Sequence, residues 1–248
     1  MRYGWRARIG HIAPAILDTS AEEFRKLLPE GVLHVGLTIS EPIQTLGVEQ
    51  AASAFERMVD AGKRLAREQV DVIVCGGGPV ALSRGPGGDA ELADLLRRET
   101  KLPVVTANGA VVEALRLFGA RSVVALSPFI EARNQEIRNF LAASGFRVLA
   151  AQGLGLVKNI DFAYQSAEAA YTLARQAADA NREAEAIYIA CPRWPTVDII
   201  AALEADTGKP VVAAAAAMVW GALRALRIMD CQPGHGRLMD SLRSPADS

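Results

Sequence analysis

A chain of 248 residues has room for one large α/β domain or two smaller ones packed together, and either buries a sizeable core. Half of its residues are hydrophobic and 22% are charged, which excludes a disordered chain. Lys plus Arg (27) nearly balances Asp plus Glu (28), so the formal net charge of -1 leaves no electrostatic footprint for nucleic acid or an acidic membrane, and small molecules or proteins are the expected partners.

The N-terminal MRYGWRARIG lacks the apolar stretch of a secretory signal, so a cytoplasmic location is expected. Short β-rich apolar runs then alternate with helical periodicity. RARIGHIAP and GVLHVGLTI read as strands, VEQAASAFERMVDAGKRLAREQ as an amphipathic helix, and VDVIVCGG and LPVVTA as two more strands. RSVVALSPF, FRVLAAQ, EAIYIAC and KPVVAAA repeat the pattern, with the helix AEAAYTLARQAADANREA among them. Several runs are apolar on both faces, as central parallel strands are, and the alternation predicts right-handed βαβ units. The most lipid-like stretch, VVAAAAAMVWGALRAL from Val211, reaches Arg224 after thirteen residues and is too short to span a bilayer. From about residue 229 a flexible tail is predicted.

The order is also duplicated. ELADLLRRETKLPVVTANGAVVEALR, residues 91–116, matches DIIAALEADTGKPVVAAAAAMVWGALR, residues 198–224, with Thr100 on Thr207 and Pro103 on Pro210. The predicted fold is α/β: two pseudo-symmetric Rossmann-like, flavodoxin-like halves with parallel sheets and a cleft between them. Residues 1–110 form the first half, joined by the returning helix 214–228, residues 111–228 the second, and 229–248 the tail. Ligands bind at the carboxyl ends of the strands in such sheets.

Aligning the halves at Asp71 and Glu185, which open corresponding strands, places Cys191 on Gly77, while Cys75 falls two residues early. Cys191 is thus the exit of a buried strand and faces the place where α/β proteins build their sites. Cys75 reads as a core strand residue, reaching the site only if the register slips by two. Cys231 falls in the predicted tail and receives no role. No CxxC pair occurs, and His11, His34 and His235 are scattered, so no metal is expected. Gly76, Gly77 and Gly78 either turn the chain or let backbone N–H groups approach an anion, although the run is neither a phosphate-binding loop nor a clean dinucleotide fingerprint.

The two-half layout, the VDV strand with its glycine loop ending in SRGPGG, the LSPFIEARNQEIRNFL segment and AIYIAC followed by TVDII resemble the Asp/Glu racemase superfamily, nearest its arylmalonate decarboxylase and maleate cis-trans isomerase branch. The likeness covers roughly residues 6–228. It implies an enzyme without cofactor or metal, acting on a small carboxylic acid, and a possible homo-oligomer. Two-cysteine members carry one thiol per half, whereas the decarboxylase keeps only the second and has glycine at the first position, the pattern of Gly77 and Cys191.

Inverting a stereocentre needs a base on one face of the carbon and an acid on the other, so glycine at 77 removes the two-thiol exchange. A lone thiol can still protonate an enediolate after CO2 leaves, or add to a carbon–carbon double bond. A helix starting near Thr196 and the adjacent Arg193 are expected to adjust Cys191. Decarboxylase relatives hold the substrate carboxylate with hydroxyls and backbone donors. Here Gly78, Pro79, Phe129 and Pro192 stand at those places, and both prolines lack an N–H. The resemblance then leaves the amides of Gly76 to Gly78, Ser127, or a cation such as Arg84 or Arg193 to hold an oxyanion, with Pro14 in the first-strand loop and Asn134 completing the candidate site. Arg84 and Arg193 read equally as salt-bridged residues, and Trp194 as packing or as the wall of an apolar pocket. The expected function is a decarboxylase-type lyase with Cys191 as proton donor. The alternatives are a maleate-type isomerase or racemase and a non-catalytic small-acid binding protein.

Overall fold

All eight predicted strands form, at β1 (Ala7–Ala13), β2 (Val32–Thr38), β3 (Val72–Cys75), β4 (Val104–Thr106), β5 (Ser122–Phe129), β6 (Arg147–Leu156), β7 (Ala186–Ile189) and β8 (Val211–Ala213). They build two parallel four-stranded sheets with the same connection order, β2-β1-β3-β4 and β6-β5-β7-β8. The computed structural model describes residues 3–15, 17–39, 48–85 and 87–243, with side chains from residue 53 onward in the second helix.

Helices link the strands. In the first half these are α1 (Ser20–Leu27), α2 (Val48–Arg67), α3 (Gly78–Leu82), α4 (Gly88–Thr100) and α5 (Ala107–Leu117). The second half adds α6 (Glu131–Ala143), α7 (Asn159–Ala163), α8 (Ala167–Ala180), α9 (Ile200–Thr207), α10 (Ala214–Ala225) and α11 (Arg237–Asp240).

The sequence repeat has a hydrogen-bonding reason. Asp71 accepts from Arg8 N–H at 2.7 Å, and Glu185 accepts from Arg121 and Ser122 N–H at 2.5 and 3.0 Å, so each acid ties the start of its own strand to the neighbouring one. Thr100 Oγ1 donates to Leu96 O at 2.7 Å and accepts from Leu102 N–H at 3.3 Å. Thr207 does the same with Leu203 O at 2.6 Å and Lys209 N–H at 3.3 Å. Both residues end a helix at a left-handed cap, Lys101 and Gly208.

Strand alternation decides what reaches the seam between the halves. Val72 and Val74 point into a core shared with β5, β7 and α10, whereas Ile73 and Cys75 point into a second cluster beneath α2 and α4. Helix α10 is buried from Ala214 to Leu223 and packs on α1, α5, β3 and β4. No helix among the described residues is long and apolar enough to cross a membrane.

The flexible tail predicted from residue 229 is corrected through Arg243. Leu238, Met239 and Leu242 are buried, Cys231 Sγ donates to Met239 O at 3.1 Å, and Trp220 Nε1 donates to Ser241 Oγ at 3.1 Å. Residues 244–248 lie outside the described residues.

Candidate active site

Gly77 stands two residues beyond the end of β3, and Cys191 two beyond the end of β7. Both adopt left-handed backbone, with φ of 73° at Gly77 and 75° at Cys191. Glycine holds that conformation freely, while a residue with a Cβ is strained by about 1–2 kcal/mol. A built Cβ on Gly77 would make only ordinary contact with Pro14 at 3.5 Å, so backbone conformation, not crowding, favours glycine there. Strain of this kind is typical of functional positions.

The two residues line one cavity of about 230 Å3 at the carboxyl ends of both sheets. The first half contributes Pro14, Asp18, Gly77, Gly78, Pro79 and Asn108 to its wall, and the second Phe129, Tyr188, Cys191, Pro192 and Arg193. Phe162, edge-on to Phe129 with ring centroids 5.0 Å apart, and Ile130, Ile137 and Leu156 make the remainder largely apolar.

Gly76 lies just behind this surface, its N–H donating to Ile12 O at 2.9 Å. The turn is held from below by a buried network. Asn108 Nδ2 donates to Gly78 O at 3.2 Å and to Asp89 Oδ1 at 3.1 Å, and Thr106 donates to Asp89. A Cβ on Gly78 would sit 2.6 Å from Asn108 Oδ1, so here glycine permits close approach. Burial raises Asp89 above the usual carboxylate range, opposed by the hydrogen bonds from Thr106, Asn108 and Gly109.

Burial pushes the Cys191 thiol up to about 11, against the backbone N–H groups of Arg193 and Trp194 and the Arg193 charge, while Asp18 adds to the rise. The sulfur is therefore a thiol at neutral pH, with the Arg193 and Trp194 backbone N–H groups near enough to favour a transient thiolate, although the Trp194 N–H also donates to Cys191 O at 3.1 Å. The helical segment expected near Thr196 starts there as a 3-10 turn, Val197–Ile199 with Thr196 at its N-cap, and α9 follows from Ile200. The N–H groups at the start of this turn, those of Thr196 and Val197, donate to Glu23.

Other predicted residues take different places. Arg84 lies outside the cavity, paired with Glu91 at 2.8 Å and 4.5 Å from the Phe55 ring centroid. Ser127 is fully buried, donating to Asn134 Oδ1 at 2.5 Å and accepting from Phe129 N–H at 3.0 Å. This pair shapes the β5–α6 turn and leaves Phe129, not either polar side chain, on the cavity wall. Trp194 is packing, its Nε1 donating to Ser166 O at 3.1 Å. Cys75 is core, with burial and then Asp89 driving its thiol far above the ordinary range.

Arg193 does reach the cavity, but as a clasp. Its Nε donates to Leu17 O at 2.9 Å, its guanidinium also meets Asn159, and its carbonyl accepts from Thr19 Oγ1 at 2.5 Å. Burial lowers its basicity, opposed by Cys191 and Asp18.

Among the polar cavity residues that escaped the sequence reading are Tyr188 and His11, beside Asp18 and Asn108. Tyr188 lies on β7 three residues before Cys191. Burial, then Cys191 and Asp89, hold it well above the usual phenol range, so it remains an O–H donor. The lone polar tip in AIYIAC is the signal that could have found it. His11 interrupts β1 in the same way and lines the opposite wall.

Residues 22–239 match the family described as arylmalonate decarboxylase. The arylmalonate decarboxylase of Bordetella bronchiseptica is 29% identical over 76% of this chain and 79% of its own. A maleate isomerase of Pseudomonas putida is 30% identical over 55% of this chain and 54% of its own. A solved maleate isomerase variant from Pseudomonas putida S16 with maleate shares the fold at a TM-score of 0.88, with 23% identity, over 95% of this chain and 98% of that one. The repeated sheets, the cleft and the matched residues thus place the chain in the arylmalonate decarboxylase family, on the arylmalonate decarboxylase and maleate isomerase branch of the Asp/Glu racemase superfamily.

Proposed function

We propose that this lyase or isomerase is a cofactor-independent decarboxylase of a small malonate-like acid, with Cys191 as the proton donor. The observation that carries the reading is the pairing of a protonated Cys191 with a Gly77 turn that has no side chain, on facing halves of one cavity. Loss of CO2 breaks one carbon–carbon bond and leaves its electron pair in an enediolate. The Sγ–H proton then passes to the carbon, and the resulting thiolate is held by the Arg193 and Trp194 amides until solvent returns a proton. The amides of Gly77 and Gly78 and the Tyr188 hydroxyl are the donors suited to the enediolate oxygens, in place of the hydroxyls lost at Pro79 and Phe129.

The apolar wall of Phe129, Phe162 and Ile137 suits an aryl or alkyl substituent. A panel of substituted malonates in D2O tests the reading. CO2 release with deuterium at the product α-carbon, abolished in Cys191→Ala, is the expected result, and full activity in that variant sinks it.

The amides at the sulfur favour one other reading, thiolate addition to the double bond of a maleate-like dicarboxylate followed by rotation and elimination. Cis-trans isomerisation without CO2 release would select it.

A further inference from the structure

His11 is a buried imidazole in the cavity wall that the reaction above does not use. Its ring stacks on Phe24, with centroids 4.6 Å apart and planes 21° apart, and it is 1% exposed. Nδ1 lies 3.1 Å from His34 Nε2 and 3.6 Å from the Asp18 carboxylate, whose other oxygen accepts from Ser20 N–H at 3.1 Å. Among the described residues, Nε2 has no hydrogen-bond partner. It lies beside the glycine turn, since a Cβ built on Gly76 would be 3.3 Å from it.

Two neighbours decide where the imidazole proton sits. With a carboxylate and the His34 Nε2 both facing Nδ1, a proton on Nδ1 makes both contacts attractive, whereas a lone pair there would face the anion. Nε2 then carries the lone pair. Burial, outweighing Asp18, lowers this histidine to about 4, which keeps the ring neutral at physiological pH. A neutral acceptor buried without a partner favours a ligand that brings a donor and disfavours one that brings a methyl group or a second anion.

We propose that His11 is a specificity-determining residue, whose Nε2 accepts a hydrogen bond from a hydroxyl or amino group on or next to the reacting carbon of the substrate acid. The inference rests on the reading that the cavity takes a small carboxylic acid, and it narrows that class to acids with a donor-bearing substituent. Tartronate-like or aminomalonate-like acids fit this description better than alkylmalonates.

Mandelate and 2-phenylpropionate, which differ in a hydroxyl for a methyl, test it by calorimetry without any turnover. Wild type should bind mandelate about tenfold or more tightly than 2-phenylpropionate. His11→Asn, which retains a polar atom for His34 but deletes the Nε2 position, should lose that preference, and His11→Leu should reverse it. Equal or weaker binding of mandelate by the wild-type protein overturns the proposal without reference to any variant, as does an undiminished preference in both variants. CO2 release is read separately: its failure on all malonates sinks the lyase reading and leaves the binding ratio standing, while equal affinities sink the role of His11 and leave CO2 release standing.

Discussion

Gly77 and Cys191 hold the same left-handed backbone at equivalent exits of β3 and β7, one without a side chain and the other with the only thiol on the described cavity wall. Cys191 thus carries a Cβ where the backbone disfavours one. Cys191→Gly should therefore be more stable than Cys191→Ala by about 1 kcal/mol, since glycine escapes the left-handed penalty, although both variants lack the thiol and should be inactive. Denaturant melts of the two variants, compared directly, measure this difference.

The raised thiol also sets a pH profile. Its folded-state pKa of about 11 exceeds the ordinary thiol value, so alkylation of Cys191 should be slow at neutral pH and quicken about tenfold per pH unit toward that point. Proton donation needs the thiol and should persist across the neutral and mildly alkaline range. By linkage, the stability that the buried thiol contributes is present below the ordinary thiol pKa and is lost as pH climbs through about 11. Mass-spectrometric alkylation rates measured beside CO2 release check both statements. Slow labelling at neutral pH is expected of this catalyst and does not mark an inert cysteine.

Tyr188→Phe removes one hydroxyl from the cavity while keeping the ring packed. Turnover should fall about ten- to a hundredfold, with stability changed by less than about 1 kcal/mol. Steady-state kinetics and a thermal melt on the same sample separate the two effects, and unchanged kinetics would remove Tyr188 from the oxyanion site.

Arg193→Met should act first on stability. It strips partners from Leu17 O and Asn159 in a largely buried setting, for a loss of about 2–4 kcal/mol, while the Thr19 bond to the Arg193 carbonyl survives because it uses the backbone. Arg193→Lys should recover little, since a single ammonium cannot reproduce the guanidinium's divergent donors. Denaturant titration of both variants measures the effect.

The strands were readable because each is an apolar run closed by turn residues, and the repeat because Asp71 and Glu185, like Thr100 and Thr207, do the same hydrogen-bonding work twice. The match of Cys191 to Gly77 followed from that repeat and from nothing in either residue's neighbourhood. Arg193 was not readable as a clasp because its partners, Leu17 in a loop and Asn159 at the start of the five-residue α7, lie more than thirty residues away in short segments without periodicity. His11 and Tyr188 were missed for a related reason: which strand-end side chains meet a cleft depends on how two sheets face each other. The end after residue 229 was misread because α11 is four residues long, too short to show a helical period, and its Leu238 and Met239 stand between glycines, prolines and charges.

Glu23 on α1 is almost fully buried and accepts from the N–H groups of Thr196 at 2.8 Å and Val197 at 2.7 Å, across the seam. Burial raises its pKa, and the two amides work against that rise. The twin architecture is thus welded, not hinged. Either half made separately would strand a carboxylate or a pair of amides, and would bare the apolar face that the other half now covers. The shared core and the crossing hydrogen bonds hold the two halves together, and the cavity they line takes its wall from both.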